Sequence, residues 1–411
     1  KLARTVAAVE DIPAVVHEAA VTALTPHRGP VFVDLPIDVV FADGEAAIPP
    51  AVAPTGAEPD PEGVAGAAGL IARAERPLLI AGTDVWLAGA EAELRAAIEH
   101  LRVPTFVNGQ GRGCLPADHP LAASRTRSLL KTDADVVVVV GTALDFRLSF
   151  GRFGSATVVH LVDSADGRAR HVDSVTVAGD LRRTLAGFAA YGGRRTDHEV
   201  WISRVHDLET AGAAREAPLL AAGATPIVPT RIYGELRKRL DRDAVVVCDG
   251  GDFVSYAGKY VDLYEPGCWL DSGPYGCLGT GMGYAMAARV AHPDRQVVAL
   301  LGDGAAGFSL LDADTLVRHQ LPVVMVVGNN GIWGLEKHPM RALYGYDVAA
   351  DLQPGCRYDQ VVAALGGAGE TVTEPDEIGP ALDRALASGV PYLVNVITDP
   401  DDVYPRSSNL G

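Results

Sequence analysis

Residues 302–333 read GDGAAGFSLLDADTLVRHQLPVVMVVGNNGIW, and the reading of this stretch decides the fold. It is entered from an apolar run at 297–301, VVALL, that stops at Gly-Asp-Gly; a second apolar run, at 323–327, ends at Asn329-Asn330. Strand, loop, helix and strand in this order predict a parallel βαβ unit. Such a unit sets the acidic loop beside the Asn pair at the carboxyl edge of the sheet, where open α/β sheets bind ligands.

The residue types suggest the chemistry. Gly302 and Gly304 let backbone N–H groups approach an anion, and a helix starting just beyond them turns its positive end toward a phosphate. One carboxylate (Asp303), one amide oxygen (Asn330) and a main-chain carbonyl nearby are too few for an all-protein calcium cage, but they suit Mg2+ shared with phosphate oxygens. A GDG or an NNG alone is a common turn. Each at a strand end and one crossover apart, they read together as a metal–diphosphate site. The pattern resembles the thiamine diphosphate signature, with the Asp303-to-Asn330 spacing of acetolactate synthases. The resemblance implies that Asp303, Asn330 and the Ile332 carbonyl hold Mg2+, and that Gly302, Asp303, Gly304 and Ala305 bind the cofactor.

Working outward, a helix at 230–240 and a strand at 244–248 lead into Asp249-Gly250-Gly251-Asp252-Phe253, another turn at a sheet edge. By resemblance this loop meets the diphosphate from the opposite side through Gly251 and Asp252. Residues 269–293 carry glycines at 276, 279, 281 and 283, but the spacing is not GxGxxG and no clean strand precedes it, which argues against an NAD-dependent dehydrogenase. The segment resembles the family's loop and helix around the cofactor rings. That likeness implies that the Gly276 carbonyl accepts from the cofactor's amino group and that Leu278 wedges the cofactor into its bent shape, the catalytic role assigned within this chain. Glu336 and His338 follow the Asn pair and are explained as well by a solvated helix start. Helices at 359–365 and 377–387 and a strand at 391–397 complete this block, and the tail YPRSSNLG (404–411) is a candidate flap over a substrate.

Upstream, strands at 77–81, 105–108, 135–141, 157–162 and 174–178 alternate with helices at 61–74, 90–101, near 124–130 and at 181–191, a Rossmann-like order. The loop GQGRG (109–113) is either a phosphate cradle or a plain turn. GTALDFRLSFG (141–151) stands where the family's middle domain holds a nucleotide. Ala143 replaces the Arg of FAD-binding synthases, and the segment is closer to that of oxalyl-CoA decarboxylases and 2-hydroxyacyl-CoA lyases. The resemblance leaves FAD, ADP or nothing open there. Asp145 and Arg147 match the synthase pattern but also read as a helix-capping Asp with an exposed Arg.

Residues 1–50 supply a helix (11–24) and one buried strand, VFVDLPIDVV (31–40), too little to bury their own apolar faces. GPVFVDLPIDV (29–39) resembles the segment closing the family's pyrimidine-binding domain. This implies that the activating glutamate lies upstream, on a partner subunit, and that the 411-residue piece alone is catalytically silent. The expected architecture is α/β, with parallel sheets flanked by helices: a pyrimidine-domain remnant (1–50), a Rossmann-like middle domain (61–191), a linker with a helix at 198–208 (192–229) and a thiamine diphosphate-binding domain (230–411).

Composition agrees. The 411 residues carry a net charge of −17, which argues against a nucleic-acid or anionic-membrane surface. The five cysteines (Cys114, Cys248, Cys268, Cys277, Cys356) show no disulfide or zinc pattern, and the apolar runs are strand-sized, so a cytoplasmic location is expected. The resemblance implies a homodimer or homotetramer with sites at the interface, acting on pyruvate and a second 2-keto acid as an acetolactate synthase does. The alternative takes an acyl-CoA as a lyase or decarboxylase, favoured by Ala143 and Gly331-Ile332-Trp333; a non-catalytic cofactor-binding homologue is the third reading.

Overall fold

The computed structural model describes residues 1–404, so the rest of the candidate flap lies outside the described residues. The chain divides into two compact units: Lys1–Phe106 with Arg127–Ile202, and Val107–Thr126 with the chain from Ser203 onward.

In the first unit, β1 (Leu2–Thr5) pairs in parallel with β2 (Val31–Asp34) across α1 (Ile12–Leu24). The strand expected over 31–40 ends at Asp34. Pro36 has no N–H to give a ladder; its carbonyl instead accepts from Val39 and Val40 (3.0 Å each), starting the helical turn α2 (Ile37–Val40). Next comes α3 (Pro61–Arg73), capped by Asp60, whose carboxylate accepts from the Glu62 and Gly63 amides at 3.3 and 3.0 Å. Then follow β3 (Pro77–Ala81), a short α4 (Thr83–Leu87), α5 (Glu91–Leu101) and β4 (Thr105–Val107). The segment 107–126, part of the second unit, holds a 3-10 turn at Gly109–Gly111 and the two-residue strand β5 (Ala122–Ala123), and α6 (Leu129–Thr132) comes later than expected.

The unit continues through β6 (Val136–Val140), β7 (Thr157–Val162), β8 (Val175–Ala178) and α7 (Leu181–Ala189). Its sheet runs β4-β3-β6-β7-β8, and β3 and β6 are buried at every residue, as continuous apolar runs covered on both faces should be. The chain steps one way from β3 and the other way from β6, which makes their junction the switch point. Asp145 takes the capping role: its carboxylate accepts from the Arg147 amide at 2.9 Å and pairs with the Arg147 guanidinium at 2.7 Å.

The helix expected at 198–208 is α8 (Glu199–Leu220), twice as long and filling much of the expected linker. Its second half is Ala-rich and anchored: Glu209 accepts from the Ser124, Arg125 and Thr126 amides, and Glu216 pairs with Arg125 at 2.7 Å. The second unit's sheet is built from β9 (Val245–Asp249), β10 (Trp269–Leu270), β11 (Val297–Gly302), β12 (Val324–Asn329), β13 (Ala368–Val372) and β14 (Tyr392–Ile397), in the parallel order β10-β9-β11-β12-β14-β13. Helices α9 (Pro229–Leu236), α10 (Asp252–Tyr260), α11 (Gly281–Ala291), α12 (Asp303–Ser309), α13 (Ala313–Arg318), α14 (Gly334–Tyr344), α15 (Tyr358–Ala364) and α16 (Ile378–Ala387) connect the strands. β9 leads to β10 on one side, whereas β11 leads to β12 on the other, so this sheet switches direction between β9 and β11. No helix among the described residues is long and apolar enough to cross a membrane.

The GQGRG loop is a tight turn. Gly113 has φ +86°, and a Cβ there would sit 1.9 Å from the Glu265 carbonyl oxygen. Gly113→Ala is therefore expected to destabilise the second unit by on the order of 3 kcal/mol, from left-handed strain plus the backbone clash. Chemical denaturation measures it; a change below about 1 kcal/mol would contradict the packing role.

Candidate functional site

The sheet's switch point brings the loops of interest together. β11 lies beside β12 with Gly302 opposite Gly328, so the GDG and the Asn pair leave adjacent strand ends. β9 flanks β11 on the other side with Asp249 opposite Leu301, which adds the 249–252 loop. Backbones here nearly touch: a Cβ on Gly250 would lie 2.9 Å from the Gly302 nitrogen, and one on Gly304 2.4 Å from the Trp333 ring. A Cβ on Gly334 would meet the Asp252 carboxylate at 2.3 Å.

The helix begins at Asp303 itself, so Gly304 and Ala305 belong to its first turn. Asp303 is 4% exposed; its carboxylate accepts from the Gly304 amide at 2.8 Å and from the Gly331 amide at 2.6 Å, directly linking the two motifs. Burial, with the Asp252 charge adding to it, pushes its carboxyl up to about 6, and among the described residues no Lys or Arg acts on it. A buried carboxylate without a cationic partner is costly unless a cation is supplied.

The Asn pair divides its labour. Asn329 is 1% exposed and donates to the Cys356 carbonyl and to Asn395 Oδ1, at 2.9 and 3.1 Å, holding the 351–357 loop down. Asn330 stays at the loop, its Oδ1 accepting from the Ile332 amide at 3.2 Å. Ile332 is nearly buried, bridged antiparallel to Asp351. Gly251 lies against Leu335, and Ala305 is packed inside, so only its backbone can meet a ligand.

Asp249 escaped the sequence reading. As the last residue of β9 it is 2% exposed, and its carboxylate accepts from the Gly281 amide at 2.7 Å and the Gly279 amide at 3.2 Å. Burial raises its carboxyl above the ordinary range. Through these bonds the strand end tethers the loop that carries exposed Gly276, with φ +61°, and half-buried Leu278. The sequence signal was an Asp ending an apolar strand; one strand over, Asp303 comes just after the strand end, at the start of the helix. Trp333, lying over Gly304 and edge-on to Phe308, was likewise missed. Glu336 is exposed near the start of α14, whereas the His338 Nε2 is buried without a partner among the described residues.

These residues fit a metal-linked diphosphate cofactor. Asp303 and Asn330 offer oxygen donors, the glycines at 250, 251 and 304 let the site loops pack closely on one another, and Gly302 leaves room where a side chain would stand. The buried hydroxyls of Thr280 and Ser309 have no partner among the described residues.

Comparison with known proteins gives the relatives. Residues 249–396 match the family described as thiamine pyrophosphate enzyme, C-terminal TPP binding domain, and residues 64–188 the family described as thiamine pyrophosphate enzyme, central domain. The chain is 50% identical over 416 residues to the acetolactate synthase large subunit IlvG of Mycobacterium tuberculosis, covering 100% of this chain and 76% of the relative. It is 33% identical to the 2-hydroxyacyl-CoA lyase 2 of Caenorhabditis elegans, covering 95% of this chain and 70% of the relative. Identity to the oxalyl-CoA decarboxylase of Escherichia coli K12 is also 33%, covering 90% and 68%.

Proposed function

The chain belongs to the acetolactate synthase family of thiamine pyrophosphate-dependent enzymes, and from that premise we propose that it is a carboligase, which decarboxylates pyruvate and joins the two-carbon unit to a second 2-keto acid. The observation that carries the site assignment is Asp303: a carboxylate 4% exposed, tied to the Asn loop and lacking a cationic partner among the described residues. When bound, thiamine diphosphate supplies the carbanion and electron-sink chemistry. The protein's part is to hold and orient. Asp303, Asn330 and the Ile332 carbonyl hold Mg2+; Gly251, Asp252, Gly302, Gly304 and Ala305 line the diphosphate cradle; Gly276 and Leu278 set the reacting end. Asp249 keeps that last loop in register with the sheet.

The enzyme works as a homodimer or homotetramer in the cytoplasm, its site completed at a subunit interface. Tyr275, Phe308 and Leu311 support this reading: they surround the site loops yet are 85%, 65% and 71% exposed. A second reading, an acyl-CoA lyase or decarboxylase, is favoured by Ala143 and Gly331-Ile332-Trp333. The deciding experiment gives the intact protein Mg2+ and thiamine diphosphate, then offers pyruvate and a 2-hydroxyacyl-CoA separately. Acetolactate from pyruvate is expected; turnover of the thioester with pyruvate untouched would replace the first reading by the second.

A further inference from the structure

The first unit has a switch point of its own, between β3 and β6, and its chemistry differs from that of the site above. Asp84 lies in α4, directly after β3, and Asp163 follows β7. His27, from the connection between α1 and β2, reaches both: its Nδ1 is 2.9 Å from Asp163 Oδ1 and 3.8 Å from Asp84 Oδ2. One ligand atom from each of the three residues falls within 4.8 Å of the others. We propose that His27, Asp84 and Asp163 form a divalent-cation site.

Three features carry this. The first is a buried oxygen left without a partner: the Asp163 side chain is 3% exposed and its Oδ2 has no hydrogen-bond partner among the described residues, while the Asp84 side chain is 14% exposed. Among the described residues, His27 is the only salt-bridge partner of either carboxylate. His27 meets Asp163 through Oδ1, and the Arg28 charge acts on Asp84 beside His27, so the need left over is at Asp163 Oδ2, which a divalent cation held by this carboxylate would partner. The second is spacing. A cation about 2.0–2.2 Å from each donor needs donors roughly 3–4 Å apart, close to the separations of His27 from the two carboxylates. One nitrogen and two carboxylate oxygens suit Zn2+ or Mn2+, with water completing the shell.

The third feature disfavours the usual occupant of such a crevice, a phosphate-bearing nucleotide. A Cβ on Gly82 would lie 2.3 Å from the Thr142 side chain, and one on Gly141 2.9 Å from the Asp84 Cβ. The two switch-point loops are thus packed on each other, and the groups they present are carboxylates, which repel phosphate. His27 and Asp163 are 136 residues apart, so the cation would also clip the N-terminal segment to the sheet edge.

The test uses the intact, chelator-treated protein, with Mg2+ and thiamine diphosphate in excess to fill the Asp303 site. Calorimetric titration with Zn2+ is expected to show one further equivalent bound per chain and a raised melting temperature. Asp163→Asn should weaken that binding by more than about tenfold, a loss already reached when only a metal's outer-shell partners are removed. His27→Gln, at a half-exposed side chain, should do the same without threatening the fold, and Asp303→Ala should leave it unchanged. Zn2+ binding that is absent, or indifferent to both His27→Gln and Asp163→Asn, overturns the proposal. So does ADP or FAD binding that depends on Asp163 in place of the metal.

Discussion

Asp303→Ala in the intact protein is expected to abolish acetolactate formation and Mg2+-dependent cofactor binding while the fold survives. Activity should fall by at least about 10²- to 10³-fold, the scale on which single charge-stabilising groups act in closed sites. Stability should barely move, because two effects oppose. Raising the Asp303 carboxyl from 3.8 to about 6 marks a burial cost of roughly 3 kcal/mol at neutral pH, which the substitution removes. Against it, the Gly304 and Gly331 amides lose their acceptor at about 1–3 kcal/mol each. The wild-type pH dependence follows in sign. The folded carboxyl keeps its proton up to about pH 6 and the unfolded one only to 3.8, so the cofactor-free fold loses this stability as pH rises between those values. Mg2+ needs the anion, so its half-saturating concentration should rise about tenfold per unit as pH falls below about 6. A Mg2+ requirement flat across that range, or an active Asp303→Ala enzyme, would refute the assignment.

The second large effect is expected at Asp249, a positioning residue. Asp249→Asn keeps the shape but turns an N–H toward one of the two glycine amides, leaving that amide unpaired at about 1–3 kcal/mol. Loosening the 276–280 loop should weaken thiamine diphosphate binding by roughly 10- to 100-fold, since displacements near one ångström carry costs of that order. Two readouts separate positioning from stability alone: cofactor affinity by fluorescence titration, and the melting temperature of the cofactor-free protein. A lowered melting temperature with unchanged cofactor affinity would make Asp249 a structural cap only. The same measurement on Leu278→Ala, at the loop's other end, should show the cofactor defect with little loss of stability, because Leu278 is only half-buried.

Much of the fold is legible where a strand is buried on both faces. VVVVV at Val136–Val140 and VVALLG at Val297–Gly302 show their identity by length and composition, and both fall in parallel sheets. Strands less apolar were missed: LART at Leu2–Thr5 and AGETV at Ala368–Val372, edge elements whose residues alone do not call for a sheet. The extension of the helix at Glu199–Leu220 was also hidden, since its anchors, the amides of residues 124–126, are more than 80 residues away in sequence.

By itself the sequence determined the parallel βαβ unit, the position of GDG and NN at neighbouring strand ends, and hence the cofactor class. The first two follow from local periodicity and from the short crossover linking the strands; the cofactor class follows from the resemblance of the GDG and NN pair to the thiamine diphosphate signature. Only the tertiary structure decided which of two adjacent asparagines is buried: Asn329 finds Asn395 across 66 residues, and Asn330 is left for the loop. Only the tertiary structure, too, showed Asp249 holding the loop of Leu278, and His27 meeting Asp84 and Asp163. The physical reason is common to all three. A polar side chain's role is set by the partner that satisfies it once water is excluded, and that partner is chosen by chain segments that become neighbours only when the sheets assemble.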